Sequence, residues 1–144
     1  MNPQEQWAPY LKRCEALAKE AASRGEAAVG SVLVRNGKVI AEAMESTRSS
    51  EDVSAHAEME VIRKARSFLG TDLSDCVLVS SKEPCLMCSY AIRYHRILTV
   101  VYQEPSGMLG GAAGAYPLLL SREVPENWGP PVQCTQMNDK KALG

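Results

Sequence analysis

Apolar residues in the first part of the chain recur at helical spacing. Between residues 4 and 23 they return every three or four positions, which places them on one face of an amphipathic helix. Gly25 follows as a stop signal. The residues of this face are Trp7, Leu11, Cys14, Ala18 and Ala21. We predict a first helix that packs against the core through this face.

The spacing then changes from helical to strand-like. Val29–Arg35 and Lys38–Ala43 are two short segments in which apolar residues dominate or alternate with polar ones. They are joined by Asn36-Gly37, and an Asn-Gly dipeptide between two such segments favours a tight hairpin turn. The pattern therefore predicts a β-hairpin.

A second helix is predicted after the polar loop Glu45–Val53. Ser54 is a good N-cap residue, and acidic residues just before it add negative charge that favours a helix start. The helix is expected to continue to about Phe68 and to stop at Gly70. Its predicted core-facing residues are Val61, Ile62, Ala65 and Phe68.

Strand and helix patterns alternate in the middle of the chain. Cys76–Ser80 is typical of a buried strand, and Pro84 suits the first turn of a helix that runs to about His95. Ile97–Tyr102 is a further apolar strand. Because strands that alternate with helices build sheets with parallel members, the order predicts an α/β fold with helices on both faces of the sheet.

The last part of the chain gives weaker signals. The Gly-rich segment Gly107–Gly114 leads to a predicted short helix around Tyr116–Ser121. From Arg122 onward the chain carries three prolines and little periodicity. We expect one domain over residues 1–144, with residues 122–144 as a variable tail.

Composition narrows the class of protein. Of the 144 residues, 45% are hydrophobic and 23% charged, as in soluble globular proteins, and the net charge of −1 indicates no polyanionic partner. The sequence has no apolar run long enough to span a membrane, and Met1–Glu5 does not resemble a signal peptide, so we expect a cytoplasmic protein. Five cysteines without secretory context favour thiols and metal binding over disulfides, with Cys14, Cys76 and Cys134 as small core or incidental residues.

Two short motifs carry the candidate chemistry. They are His56-Ala57-Glu58 and Pro84-Cys85-Leu86-Met87-Cys88. One imidazole and two thiols are ligands of Zn²⁺, and three protein ligands leave the fourth tetrahedral position to water, as in catalytic sites. Glu58 stands two residues from His56 and is the predicted proton carrier for that water.

Both motifs fall at predicted helix starts, which explains how they could converge. Side chains in a first turn lean back past the helix end, and Cys85 and Cys88, three residues apart, share one face. The alternatives are a structural zinc site or a redox pair, since a lone Cys-x-x-Cys serves either purpose. A structural site needs a fourth ligand, and His95 is a poor one because it lies at the far end of the helix that Cys85 and Cys88 begin.

At these residues the chain resembles the cytidine deaminase-like superfamily, over about residues 26–122. The resemblance implies a three-layer α/β/α fold with a mixed sheet of about five strands, helices on both faces and a homodimer. It also implies that His56, Cys85 and Cys88 bind zinc and that Glu58 shuttles protons. The backbone around Ala57 and the side chains near Val29 would line the base pocket.

Two branches of the superfamily share the resemblance. Glu26–Ile40, Glu83–Cys88 and Gly111–Gly114 resemble bacterial tRNA adenosine deaminase, whereas His56–Ala65 and the segment from Leu69 to Cys76 are more similar to bacterial guanine deaminases.

Three departures from both branches bear on the substrate. Glu45 stands where both carry an asparagine that holds the base; it either favours a ring with N–H or amino donors or is a solvated loop residue. Tyr90 replaces a small residue, and could narrow the pocket or pack in a subunit contact. The chain also ends soon after Asp139-Lys140-Lys141, without the basic final helix of the tRNA enzyme or the capping tail of guanine deaminases.

These observations support three hypotheses. The first is a zinc-dependent hydrolytic deaminase of a small guanine-, cytosine- or adenine-like ring, which the near-neutral charge favours. The second is a tRNA adenosine deaminase, for which two helices offer basic residues. The third is a catalytically idle zinc-binding assembly module. Glu58 argues against it, because a site without catalysis needs no proton carrier. The basic residues are Arg63, Lys64, Arg66, Arg93 and Arg96.

Overall fold

The computed structural model describes residues 1–137. The last seven residues, 138–144, include the Asp139-Lys140-Lys141 end of the predicted tail and lie outside the described residues. The helices and strands of the described part are α1 (Pro3–Ser23), β1 (Gly30–Arg35), β2 (Lys38–Met44), α2 (Ala57–Leu69), β3 (Cys76–Lys82), α3 (Leu86–Tyr94), β4 (Thr99–Glu104) and β5 (Gln133–Gln136), with short 3-10 turns at Gly107–Leu109 and Glu126–Trp128.

The strands form one mixed sheet in the order β2-β1-β3-β4-β5. β1 runs antiparallel to β2 and β3, whereas β3, β4 and β5 are parallel. Asn36 and Gly37 adopt φ values of 51° and 76° in the β1–β2 turn, as an Asn-Gly hairpin turn requires. The mixed sheet of about five strands and the hairpin are therefore confirmed.

The two faces of the sheet carry separate hydrophobic clusters. Val32 and Val34 of β1 pack with Leu11 and Cys14 of α1 on one face. Leu33, between them, points to the other face and packs with α2 and α3. This alternation along one strand confirms the three-layer α/β/α arrangement with helices on both faces.

The start of α2 differs from the prediction. The helix begins at Ala57 with His56 as its N-cap residue, not at Ser54. The Asp52 carboxylate accepts hydrogen bonds from both the backbone N–H and the hydroxyl of Ser54, 2.9 and 2.7 Å long. Because Ser54 is held in this local turn, its side chain does not cap the helix.

The end of α2 corrects a second expectation. Phe68, predicted to face the core, is exposed. The buried face continues from Val61, Ile62 and Ala65 to Leu69, which packs against the core cluster. Leu69 lies four residues after Ala65 and keeps the helical spacing, whereas Phe68 falls beside this face.

Three segments after β3 also differ. Pro84 precedes the N-cap residue Cys85 and is not in the first turn of α3. The predicted helix at Tyr116–Ser121 is a series of turns, in which the buried Arg93 guanidinium donates to the carbonyls of Leu118, Leu119 and Ser121. These carbonyls therefore have a hydrogen-bond partner outside the segment.

β5 lies in the predicted tail, where the polar sequence gave no indication of a strand.

Candidate metal centre and substrate pocket

The candidate site lies at one edge of the sheet. Because β1 is antiparallel to its neighbours, its start meets the ends of β2 and β3 there, with Gly30 opposite Met44 and Ser31 opposite Ser80. Val29 precedes β1, Glu45 follows β2 and Lys82 is the last residue of β3, and all three line a common cavity. Ligands of open α/β sheets commonly bind at the carboxyl ends of strands.

Three side chains with metal-binding atoms converge beside this cavity. His56 and Cys85 occupy the N-cap positions of α2 and α3, and neither side chain makes a capping hydrogen bond. Cys88 lies in the first turn of α3. Both sulfur atoms are 3.6 Å from Nδ1 of His56, and the three ligand atoms all lie within 4.8 Å of one another.

The spacing of these atoms fits a tetrahedral zinc ion. Zinc binds sulfur at about 2.3 Å and nitrogen at about 2.0–2.1 Å, so tetrahedral angles separate the two ligand atoms by about 3.6 Å. The sulfur-to-Nδ1 distances in the structure agree with this value. The donor set, one imidazole and two thiols, is also one that zinc prefers.

The two thiols differ in acidity. A hydrogen bond with Cys88 lowers the pKa of Cys85 to about 5. The same bond raises the pKa of Cys88, and burial raises it further. The lowered pKa favours the thiolate form of Cys85, which is the form that binds metal.

Glu58 is a buried carboxyl on the cavity wall. It lies in the first turn of α2 and is 3% exposed. Burial, with smaller contributions from the negative charges of Cys85 and Glu45, raises its pKa to about 8. A hydrogen bond from its own backbone N–H opposes this shift. Within residues 1–137, no side chain of another residue hydrogen-bonds to the Glu58 carboxyl.

Glu83 is a second buried carboxylate at the cavity, and it holds the Gly-rich loop. It accepts hydrogen bonds from the backbone N–H groups of Ser106, Ala112 and Ala113 at 3.0, 2.9 and 2.7 Å. A Cβ atom on Gly110 would lie 2.3 Å from the Glu83 carboxyl carbon. Glycine is therefore required where the loop passes over this carboxylate.

Glu26 holds the loop on the opposite side. Its two carboxylate oxygens accept hydrogen bonds from the backbone N–H groups of Arg48 and Ser49, each 2.8 Å long. These bonds, from Arg48 first, lower its pKa. Two carboxylates thus fix the loops that flank the cavity.

The cavity has a volume of about 230 Å³ and contains most of the predicted site residues. Cys88 is buried behind the wall, and Ala57 is fully buried between two residues that line the cavity. The residues that line it are Ala27, Val29, Glu45, His56, Glu58, Lys82, Glu83, Cys85, Ser106 and Leu109. The sequence predicted no role for five of these residues, although Ala27 and Glu83 lie in segments that carry the resemblance and Leu109 lies in the Gly-rich segment. The five are Ala27, Lys82, Glu83, Ser106 and Leu109.

His95 does not take part in the metal centre. Its Nδ1–H donates a hydrogen bond to the Ala91 carbonyl at 2.6 Å, and it is not within the group of convergent ligand atoms. Within the described residues, the group therefore has three members and no fourth protein ligand.

Residues 4–104 match the family described as the cytidine and deoxycytidylate deaminase zinc-binding region. This match covers more than half of the chain and includes all three convergent ligands. The chain belongs to this deaminase family.

Both predicted branches are represented among the similar proteins. The deaminase is 37% identical to the tRNA-specific adenosine deaminase of Aquifex aeolicus over 76% of this chain and 74% of that protein. It is 43% identical to the guanine deaminase of Bacillus subtilis over 65% of this chain and 61% of that protein. A solved structure from a study of A-to-I editing by tRNA:A34 deaminases superposes with a TM-score of 0.80 at 31% identity, covering 89% of this chain and 96% of that one.

These similarities confirm the predicted class of enzyme, a hydrolytic deaminase of nucleobase-like rings in the cytidine deaminase-like superfamily. They also argue against the idle assembly module. None of the helices within residues 1–137 combines the length and the apolarity needed to cross a membrane.

Proposed function

We propose that the deaminase acts on a small free nucleobase-like ring that carries an amino group, and converts that group to a carbonyl with release of ammonia. Water adds its oxygen to the ring carbon, the carbon–nitrogen bond breaks, and the amine leaves as ammonia after gaining a proton. The observation that carries the proposal is the position of Glu58, buried in a small cavity beside three metal-binding side chains.

His56, Cys85 and Cys88 are the proposed zinc ligands, through Nδ1 and two sulfur atoms. Bound zinc supplies a Lewis acid that lowers the pKa of a coordinated water. Two thiolates and a neutral imidazole form an electron-rich ligand set, so the protein must provide the base that completes deprotonation. Glu58 is that base.

Glu58 moves the protons of the reaction in this proposal. It accepts one proton from the attacking water and delivers it to a ring nitrogen, and then takes the remaining proton of the hydroxyl added to the ring carbon and delivers that one to the leaving amine. Burial raises the pKa of Glu58, so this carboxyl is easier to protonate than an exposed glutamate, as a proton carrier must be.

The size of the cavity supports a small substrate. Its 230 Å³ lies below the roughly 300–1,000 Å³ of pockets that hold drug-sized ligands. Val29 and Leu109 provide apolar surface for a flat ring, and Ala57 would contribute its backbone. We propose Val29, Glu45 and Ala57 as substrate contacts.

The second candidate is a tRNA-specific adenosine deaminase, which the TM-score of 0.80 favours. Most of the basic residues that supported RNA binding, however, are engaged within the protein. Arg93 is buried and bonds backbone carbonyls, Arg63 pairs with Glu60, and Arg96 pairs with Asp72. Fewer free cations remain for phosphate contacts, which RNA affinity requires.

We further propose a cytoplasmic homodimer in which residues 1–144 form a single deaminase domain. A groove of about 530 Å³ beside α3 has a predominantly apolar lining that includes Leu86 and Tyr116. Leu120 also lines this groove and is exposed, as is Tyr90 of α3, and a second copy would cover these apolar side chains. Five free thiols fit a reducing compartment.

The test is ammonia release by zinc-loaded protein from free bases, nucleosides and a tRNA anticodon stem-loop. We expect turnover of at least one free base. Turnover of the stem-loop alone would replace the first proposal with the second, and no turnover of any substrate would refute both.

A further inference from the structure

Glu45 is a buried carboxylate held at the cavity wall by its backbone. It directly follows β2, and its N–H donates to the Val29 carbonyl at 3.0 Å. Its side chain lines the cavity together with His56 and Glu58, and the residue is only 8% exposed. The alternative of a solvated loop residue is therefore wrong.

The protein leaves most of the hydrogen-bonding capacity of this carboxylate unused. The Thr47 hydroxyl donates to Oε2 at 3.4 Å, which is long for a bond between two oxygen atoms. Over residues 1–137 no basic side chain forms an ion pair with Glu45. A carboxylate offers about four acceptor positions, so several remain open.

Two other buried carboxylates near the cavity, Glu26 and Glu83, have the hydrogen-bond donors that Glu45 lacks. Glu26 is equally buried and receives two backbone N–H donors, and Glu83 receives three. Buried polar groups are normally hydrogen-bonded, and those that are not are often completed by a ligand or water. Among these three glutamates, Glu45 is the one that lacks the backbone donors.

We propose that Glu45 is a specificity-determining residue that selects rings presenting a ring N–H donor, as a guanine-type ring does, over rings presenting a bare nitrogen or carbonyl at that position. This inference rests on the proposed function and names the substrate edge that the pocket reads. A donor facing Glu45 gains a charge-assisted hydrogen bond, whereas an acceptor would face a negative charge and leave it unpaired.

The competing explanation is that Glu45 affects the reaction only because its negative charge raises the pKa of Glu58. In that case, removing the charge would change the turnover of every ring by the same factor. It would not change the relative affinities of rings that differ in their donors.

The experiment measures equilibrium binding of guanine and of 2-aminopurine, which has a bare nitrogen where guanine has an N–H. Both are titrated against the zinc-loaded Glu58→Gln variant, so that no ligand is consumed, and against the same protein carrying Glu45→Gln. We expect the Glu58→Gln variant to bind guanine more tightly than 2-aminopurine. Adding Glu45→Gln should lower the ratio of the guanine affinity to the 2-aminopurine affinity about tenfold.

Glu26→Gln in the Glu58→Gln background is the matched control. It alters a buried carboxylate on the neighbouring loop, so it should leave the ratio unchanged even if the loop loosens. Melting curves of all variants establish that they are folded. An unchanged ratio in Glu45→Gln, or an equal fall in Glu26→Gln, would overturn the assignment.

The affinity ratio is measured by binding, whereas the proposed reaction is measured by ammonia release. The proposed reaction and the proposed selectivity of Glu45 can therefore fail separately. A protein that deaminates nothing but shows a Glu45-dependent ratio refutes the proposed reaction and retains the selectivity of Glu45. A protein that deaminates free bases with a ratio independent of Glu45 does the opposite.

Discussion

Glu58 and Glu83 are two glutamates at one cavity that differ in what surrounds their charge. They are 3% and 2% exposed, respectively. Glu83 receives three backbone N–H donors from the Gly-rich loop. Glu58 receives one, from its own backbone, and its burial, with a smaller contribution from nearby negative groups, raises its pKa to about 8.

The contrast shows that burial alone does not identify a catalytic carboxyl. A buried carboxylate with enough fixed donors is a structural anchor, because its charge is balanced whether or not a ligand is present. A buried carboxyl without them remains easy to protonate and is suited to proton transfer. On this criterion Glu26, which receives two backbone N–H donors, belongs with Glu83.

The largest expected effect comes from Glu58→Gln. An amide of the same shape cannot carry the proton, so kcat should fall by about 10²–10⁴-fold, the usual contribution of general acid–base catalysis. Zinc content should remain at the wild-type level. Steady-state kinetics and elemental analysis measure both quantities.

Glu60→Gln is the control for this change, because Glu60 lies on the same helix and pairs with Arg63 outside the cavity. Its kcat should stay within a few-fold of wild type. If Glu58→Gln retained wild-type turnover, the assignment of the proton carrier would be wrong.

The next largest effect is expected for Cys85→Ala. Loss of a direct ligand should weaken zinc binding by more than the roughly 10–100-fold that changes to outer-shell partners cost. The stabilisation that zinc gives the wild-type protein should largely disappear with it. Competition with a chelator and melting with and without zinc test this, and Cys134→Ala, outside the metal centre, should behave as wild type.

Glu83→Gln should affect stability more than chemistry. The amide loses the charge that three backbone donors share and points its own N–H₂ at one of them, so we expect a loss of about 2–4 kcal/mol in the free energy of unfolding. Glu58→Gln should not destabilise the metal-free protein in this way, because no N–H group of another residue depends on the Glu58 carboxyl as its acceptor. Equal destabilisation by the two changes in urea titrations would abolish the distinction between anchor and catalytic carboxyl.

The smallest effect is the pH dependence of the Glu26 anchor. Its folded-state pKa is lowered below the ordinary 4.5, so its stabilising contribution is fully present above pH 4.5. The contribution is lost as the pH falls through the folded-state pKa. The difference in urea midpoint between wild type and Glu26→Gln should therefore be constant near neutrality and shrink in acid. A difference that grew on acidification would reverse the predicted sign.

Much of the fold could be predicted because its signals are local. The Asn36-Gly37 dipeptide fixes its own hairpin turn, and the helical spacing of Leu11 and Cys14 predicts the buried face of α1. The predicted start of α2 was wrong because Ser54, the expected cap residue, donates two hydrogen bonds to the Asp52 carboxylate instead of capping the helix. The predicted helix after Gly114 was wrong because its carbonyls bond a distant arginine.

The candidate site divides in the same way. His56, Glu58, Cys85 and Cys88 could be predicted because their spacing within the chain carries the chemistry. Lys82 and Ser106 could not, since they meet only through the parallel pairing of β3 with β4, in which Lys82 lies opposite Glu104. Such pairing depends on the whole sheet, and no local pattern at either residue indicates it.

The most direct test of the account follows the origin of the product oxygen. Zinc-loaded wild-type protein and its Glu58→Gln variant are incubated with a base that the ammonia assay identifies as a substrate, in water enriched in oxygen-18. The account predicts that mass spectrometry finds one labelled oxygen in the wild-type product for each ammonia released, and almost no product from the variant. Unlabelled product, or equal labelled product from both proteins, would contradict hydrolysis driven by Glu58.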